Sequence, residues 1–270
     1  MATPSQPDPT TRPQAEQDGE AKMSFFEHLI ELRKRIINSL FAIAAGLVIG
    51  FYFSEKAFTF LAQPMLRALR DAHLTDKLVY TSPTGAINML IHVGFYLGIV
   101  LASPIVLHQV WLFIAPGLYR HERGAVATFV VSSTFLFLTG MAFAYWVLLP
   151  YVLRFLVSFH GPFQPLISIN EYFDLVLIVL LGVGIIFEMP VLIFFLTLFG
   201  IVTPKFLWKN IRYAILIITI VAAVVTPSPD ATTMMMFMAP MVLLYFVGIG
   251  VSYFVVRRRR ARAVTSEGAP

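Results

Sequence analysis

Apolar residues run along this chain in six long blocks, residues 36–53, 85–113, 125–149, 172–199, 211–225 and 233–256. The runs are too continuous for the alternation of half-buried strands, and most reach the roughly 20 residues a helix needs to cross a bilayer. The pattern predicts an all-α, polytopic integral membrane protein with six transmembrane helices. Strand-length alternation of the outer-membrane-barrel kind is absent. The fifth block stands apart. From Tyr213 to Val225 a helix is only ~20 Å long at ~1.5 Å per residue, against a hydrocarbon core of ~30 Å. Such a span must thin the bilayer, be sheltered by neighbours, or be completed by residues 208–211 snorkelling at the membrane lip.

The polar pieces between the blocks set orientation. One side of the membrane holds Arg33, Lys34, Arg35, Arg120, Arg123, Lys205, Lys209, the run Arg257–Arg260 and Arg262. The other holds Lys56, Arg67, Arg70, Lys77 and Arg154. The positive-inside rule makes the first side cytoplasmic and places both termini there, N-in and C-in. On the opposite side lie two longer connections, 54–84 and 150–171. The first carries apolar stretches at 58–61 and 64–69 that predict a helix lying over the bundle. Residues 1–22, rich in Pro, Gln, Thr and acids, read as a disordered cytosolic tail without a signal peptide's apolar core; Met23 is a possible start. Residues 23–256 form the membrane domain and 257–270 a basic cytosolic tail.

Composition agrees: 58% hydrophobic and 13% charged residues with a mean hydropathy of +0.78 exclude an ordinary soluble domain. With no cysteine, thiolate metal sites and cysteine nucleophiles are excluded. The six histidines (His28, His73, His92, His108, His121 and His160) show no ligand spacing. The phosphate-binding loop, zinc-protease and serine-hydrolase motifs are missing, so no enzyme activity and no cofactor are expected.

Three places carry polar chemistry. The first is Glu27–Arg35, a charged segment entering the first apolar block. Ser24 and Glu27 have capping-box spacing, predicting a helix start near Phe25. Glu27, Glu31 and Arg35 share one helix face, so an acid there either joins a local ion pair or receives a cationic ligand. The second is the loop 111–124, where Pro116-Gly117 breaks the helix and Glu122 sits among Arg120, His121 and Arg123. The third is Glu188, alone inside an apolar span and followed by Pro190. A carboxylate at the bilayer centre costs on the order of 2.5–3.5 kcal/mol by insertion scales, so it must face protein or water. It either helps hold a polar pocket or contacts a partner helix, or it is a protonated acid bonding a nearby Ser, Thr or backbone carbonyl.

The segments LIELRKR (29–35), QVWLFIAPGLYRHER (109–123), MAFAYWVLLP (141–150), FEMP (187–190), TPSPD (226–230) and AP (239–240) resemble the TatC family, the signal-receptor subunit of the twin-arginine protein translocase. The resemblance spans nearly all of 25–256. It implies a concave, glove-like bundle of six helices in the cytoplasmic (inner) membrane that binds twin-arginine signal peptides. Folded proteins would be exported with TatA- and TatB-type single-span subunits, driven by the proton-motive force, in a self-associating receptor complex within the lipid bilayer, with no role for nucleic acid. Carried over by position, Glu31, Arg33, Phe113, Pro116, Leu118, Tyr119 and Glu122 correspond to the signal-binding surface. Pro64, Glu188 and Asp230 match other motif positions. Thr226, Thr232, Thr233 and Met234 fall where partner helices dock. One departure is Phe246, where many relatives carry glutamate. Two readings compete: a secondary transporter with a small-solute site near Glu188, and a scaffold for other membrane proteins.

Overall fold

The computed structural model describes residues 14–75, 77–114, 123–158, 166–226 and 230–267. Ten α-helices are formed among them: α1 (Gln14–Tyr52), α2 (Ser54–Asp71), α3 (Gly85–Ile114), α4 (Arg123–Phe143), α5 (Leu149–Ser158), α6 (Ile169–Phe187), α7 (Met189–Leu198), α8 (Pro204–Lys209), α9 (Ile211–Val225) and α10 (Ala231–Glu267). A π-helical turn, Ala144–Leu148, joins α4 to α5. Among the described residues, five stretches are long and apolar enough to span a bilayer: His28–Tyr52, Gly85–Phe113, Phe129–Ser158, Ile169–Leu198 and Ala231–Arg257. The sixth, α9, has 15 residues and so extends only ~22 Å.

Two boundaries differ from expectation. Helix α1 begins at Gln14 rather than near Phe25, so Ser24 and Glu27 lie inside a helix and do not cap its start. Residues 14–22 are mostly Gln, Glu, Ala and Lys, good helix formers that extend a helix already nucleated by the span below them. The third span runs on to Ser158, through Pro150. The π turn just before it widens the backbone, which accommodates a ring that would crowd a regular helix. The continuation is amphipathic and buries Leu149, Val152, Leu153 and Val157.

Helices α1 and α3 cross at glycines spaced four apart, Gly46 and Gly50 against Gly94 and Gly98. A Cβ on Gly50 would strike the Gly94 carbonyl oxygen, and one on Gly98 would lie 2.7 Å from the Leu47 Cα. Lipid offers no hydrophobic drive for helix pairing, so the close backbone approach that small residues permit supplies the contact energy.

As expected, the first outer connection folds into a helix, α2, that buries Ala62, Pro64, Met65, Ala68 and Leu69 on the bundle. Pro64 has no N–H for the Phe60 carbonyl one turn back. The Tyr145 hydroxyl donates to that carbonyl instead at 2.7 Å, and the Tyr172 hydroxyl donates to the adjacent Leu61 carbonyl at 2.6 Å. The Phe60 and Tyr145 rings stack at 4.5 Å. The proline thus frees the Phe60 carbonyl, and tyrosines of the third and fourth spans bond Phe60 and Leu61 to hold α2 down. A parallel bridge, Val79 to Ser168, ties the two outer connections together, and Arg154 pairs with Asp71 at 2.9 Å. The core beneath contains Val93, Leu149, Val152, Phe173 and Val176.

Candidate functional site

At the entry of the first span, one turn of helix brings Glu31 and Arg35 together. Arg35 donates to Glu31 Oε1 at 3.0 Å and to Gln109 Oε1 of α3 at 3.2 Å. Arg35 therefore acts as a bracket between α1 and α3. Glu31 keeps 31% of its side chain exposed, so one face of its carboxylate is still open to a second cation. Of the two readings of this acid, the local ion pair is present and does not use it up. One turn earlier, His28 stacks on Phe113 of α3 at 4.6 Å, which fixes the Phe113 ring beside the bracket. Arg33 points outward and is exposed. An apolar groove of about 490 Å³ descends from Arg35, Gln109 and Phe113 along Ile36, Ile43 and Val106. Pro116, Leu118, Tyr119 and Glu122 lie outside the described residues, as does the side chain of Glu27.

Glu188 sits where the fourth span breaks, between α6 and α7. Its amide donates to the Ile185 carbonyl at 3.0 Å, and its carbonyl accepts from the Leu192 amide at 2.9 Å. The break places the side chain against α4, where the Ser133 hydroxyl donates to Oε2 at 2.6 Å. Ser133 in turn accepts from the Trp111 indole N–H of α3 at 2.8 Å. The Trp111 ring stacks on Phe195 at 4.5 Å, which fixes the donor's direction. A chain of two hydrogen bonds therefore links the second, third and fourth spans at an acid that has no ion pair among the described residues. Its other oxygen, Oε1, is buried without a hydrogen-bond partner. Ser133 and Trp111 were not singled out from the sequence; a serine within an apolar span is the signal that points to such a partner.

The turn into the last span explains another motif position. Asp230 accepts from the Thr233 amide at 2.7 Å, the N-cap arrangement for α10. The four rim residues divide. The Thr226 hydroxyl is spent on the Ala222 carbonyl at 2.6 Å. Thr232 is exposed, Met234 is half-buried, and Thr233 is buried with its hydroxyl unpartnered. Of the four, Thr232 is the exposed one, and Met235 one turn on is exposed as well. Phe246, the departure from the family pattern, is partly exposed and meets Trp208 edge-on at 6.1 Å.

No group of three or more metal-binding side chains is present among the described residues. The helices define an all-α polytopic membrane protein whose polar side chains cluster at the two membrane boundaries and at one mid-span break. Residues 27–240 match the family described as Sec-independent protein translocase protein (TatC). The chain belongs to that family. It is 46% identical over 265 residues to the Sec-independent protein translocase protein TatC of Koribacter versatilis (strain Ellin345), covering 97% of this chain and 98% of that one. The TatCy protein of Bacillus subtilis (strain 168) is 36% identical over 241 residues, with 88% and 91% covered. The crystal structure of the twin arginine translocase receptor TatC superposes with a TM-score of 0.74 at 34% identity, covering 85% of this chain and 99% of that one.

Proposed function

We propose that this translocase subunit receives twin-arginine signal peptides at the Glu31 bracket and passes folded cargo with the help of single-span partners. The observation that carries the reading is the half-open Glu31 carboxylate. Held by Arg35, which Gln109 braces in turn, it presents free acceptor capacity beside the Arg35–Gln109–Phe113 end of an apolar groove. Arginine donates bidentately to carboxylates, and each charge-assisted bond contributes about 1.5–3 kcal/mol. The groove below suits the apolar stretch of a signal segment. In this reading Glu122 supplies the second carboxylate, and Phe113, Pro116, Leu118 and Tyr119 shape the contact, with Arg33 at its edge. The basic lip is cytoplasmic and both termini lie inside the inner membrane's cytoplasmic face.

The short α9 and the Thr226–Met234 rim receive TatA- and TatB-type helices in this proposal, and the subunits self-associate around them. A span of ~22 Å leaves the bilayer locally thin, which a neighbouring helix shelters. The glove-like concavity and drive by the proton-motive force belong to the same reading. Photo-crosslinkers placed at positions 31 and 113 in native membranes test it: they should capture a twin-arginine precursor, and a precursor with its two arginines changed to lysine should lose capture. Equal capture of both precursors would overturn the assignment.

A further inference from the structure

The end of the molecule formed by α8 and α10 has a charge imbalance that the translocation reading leaves unused. From Met189 to Ser266 the sole acid is Asp230, which is committed to capping α10, whereas the same stretch holds Lys205, Lys209, Arg212, Arg257–Arg260 and Arg262. At the opposite end, by contrast, Arg154 has Asp71. Lys205 and Arg257 form no ion pair among the described residues. Both line one cavity of about 380 Å³, together with Thr203, Pro204, Tyr253 and Val256.

The cavity is built rather than incidental. Thr203 caps α8 by accepting from the Phe206 amide at 3.2 Å, which fixes the approach to Lys205. The Tyr245 hydroxyl donates to the Leu207 carbonyl at 2.8 Å and clamps α8 against α10, the two helices that carry Lys205 and Arg257. A second polar tie, Thr197 to Ser252 at 2.8 Å, locks α7 to α10 beside Tyr253 and about one turn before Arg257. Tyr253 of its lining is exposed, as are Phe206, Trp208 and Phe254 on the same two helices, the aromatic composition of a membrane–water boundary.

We infer that this cavity is a binding site for the phosphate headgroup of an anionic phospholipid in the leaflet at that end. Lys205 and Arg257 supply the positive charge, and the Tyr253 hydroxyl a hydrogen bond. Basic pockets between spans at the cytoplasmic boundary suit such headgroups, and the exposed aromatics suit the upper acyl chain. A phosphodiester fits better than a carboxylate ligand, because two separated cations and a hydroxyl match several acceptor oxygens at once.

The test uses the full-length protein purified in a neutral detergent, with bound lipid counted by native mass spectrometry after equilibration with phosphatidylglycerol, phosphatidylcholine or inorganic phosphate. One phosphatidylglycerol should be retained in preference to phosphatidylcholine. Lys205→Gln/Arg257→Gln should weaken retention roughly thirtyfold, from about fivefold per cation. Lys209→Gln/Arg212→Gln removes the same charge from exposed positions that do not line the cavity and should change retention less than about threefold. Both double variants should keep the wild-type melting temperature, since neither touches the Tyr245–Leu207 clamp. Equal loss in the two variants would reduce the effect to diffuse surface charge and overturn the site. Equal retention of phosphatidylcholine, or displacement of the lipid by millimolar inorganic phosphate, would overturn it as well. Signal-peptide capture at positions 31 and 113 is a separate readout, so failure here leaves that reading standing.

Discussion

Replacing Ser133 by alanine tests whether the break at Glu188 is held by hydrogen bonding or by packing alone. The hydroxyl is fully buried, accepts from Trp111 at 2.8 Å and donates to Glu188 at 2.6 Å, so its loss strands a donor and an acceptor together. An unsatisfied buried group costs about 1–3 kcal/mol in soluble proteins, and polar pairs in membranes average nearer ~0.6 kcal/mol. Two such losses give roughly 1–6 kcal/mol. At about 2–4 °C per kcal/mol for a chain of this size, Ser133→Ala should melt ~4–8 °C lower in detergent if the cost falls near 2 kcal/mol. Glu188→Gln should be milder than Glu188→Leu, because glutamine keeps an oxygen for Ser133 while leucine removes both acceptors. A double-mutant cycle of Ser133→Ala with Glu188→Leu should be strongly non-additive, since each change breaks the same bond. An unchanged melting temperature for Ser133→Ala, or additive losses in the cycle, would refute the coupling. Equal export activity for wild type, Glu188→Gln and Glu188→Leu would show the acid to be inert in transport.

Other outcomes follow from the same geometry. Glu31→Lys should abolish precursor binding in native membranes; binding at the wild-type level would remove Glu31 from the site. Because the lip is exposed to water, precursor binding should also weaken as salt rises from low to physiological strength. Tyr145→Phe and Tyr172→Phe each leave a carbonyl of α2 without its donor. Each should cost about 1–2 kcal/mol and raise protease sensitivity of residues 54–71. Gly50→Leu should unfold or separate α1 from α3, read as lost protein in the membrane fraction, because its Cβ has no room beside Gly94. Asp230→Ala should cost about 0.5–2 kcal/mol through the α10 cap while Asp230→Asn keeps most of it, measured by thermal melting.

The spans and their rough ends were legible because the bilayer is a simple solvent: a long apolar run has one stable answer, a helix. The outer helix α2 and the short α9 could be read the same way, from amphipathic spacing and from length. The helical start at Gln14 and the run through Pro150 could not, since a neighbouring span and a π turn, neither visible locally, override the capping and proline signals. The glycines at 46, 50, 94 and 98 are plain in the sequence, yet which two of six spans they join is a matter of topology. Pairing has the same character. The sequence marked Glu31 and Glu188 as acids in need of company, but Gln109 lies 74 positions from its partner Arg35 and Ser133 lies 55 from Glu188. Polar groups in apolar surroundings must find partners wherever the fold brings them, so sequence determines that a partner exists, and only the tertiary structure decides which residue it is.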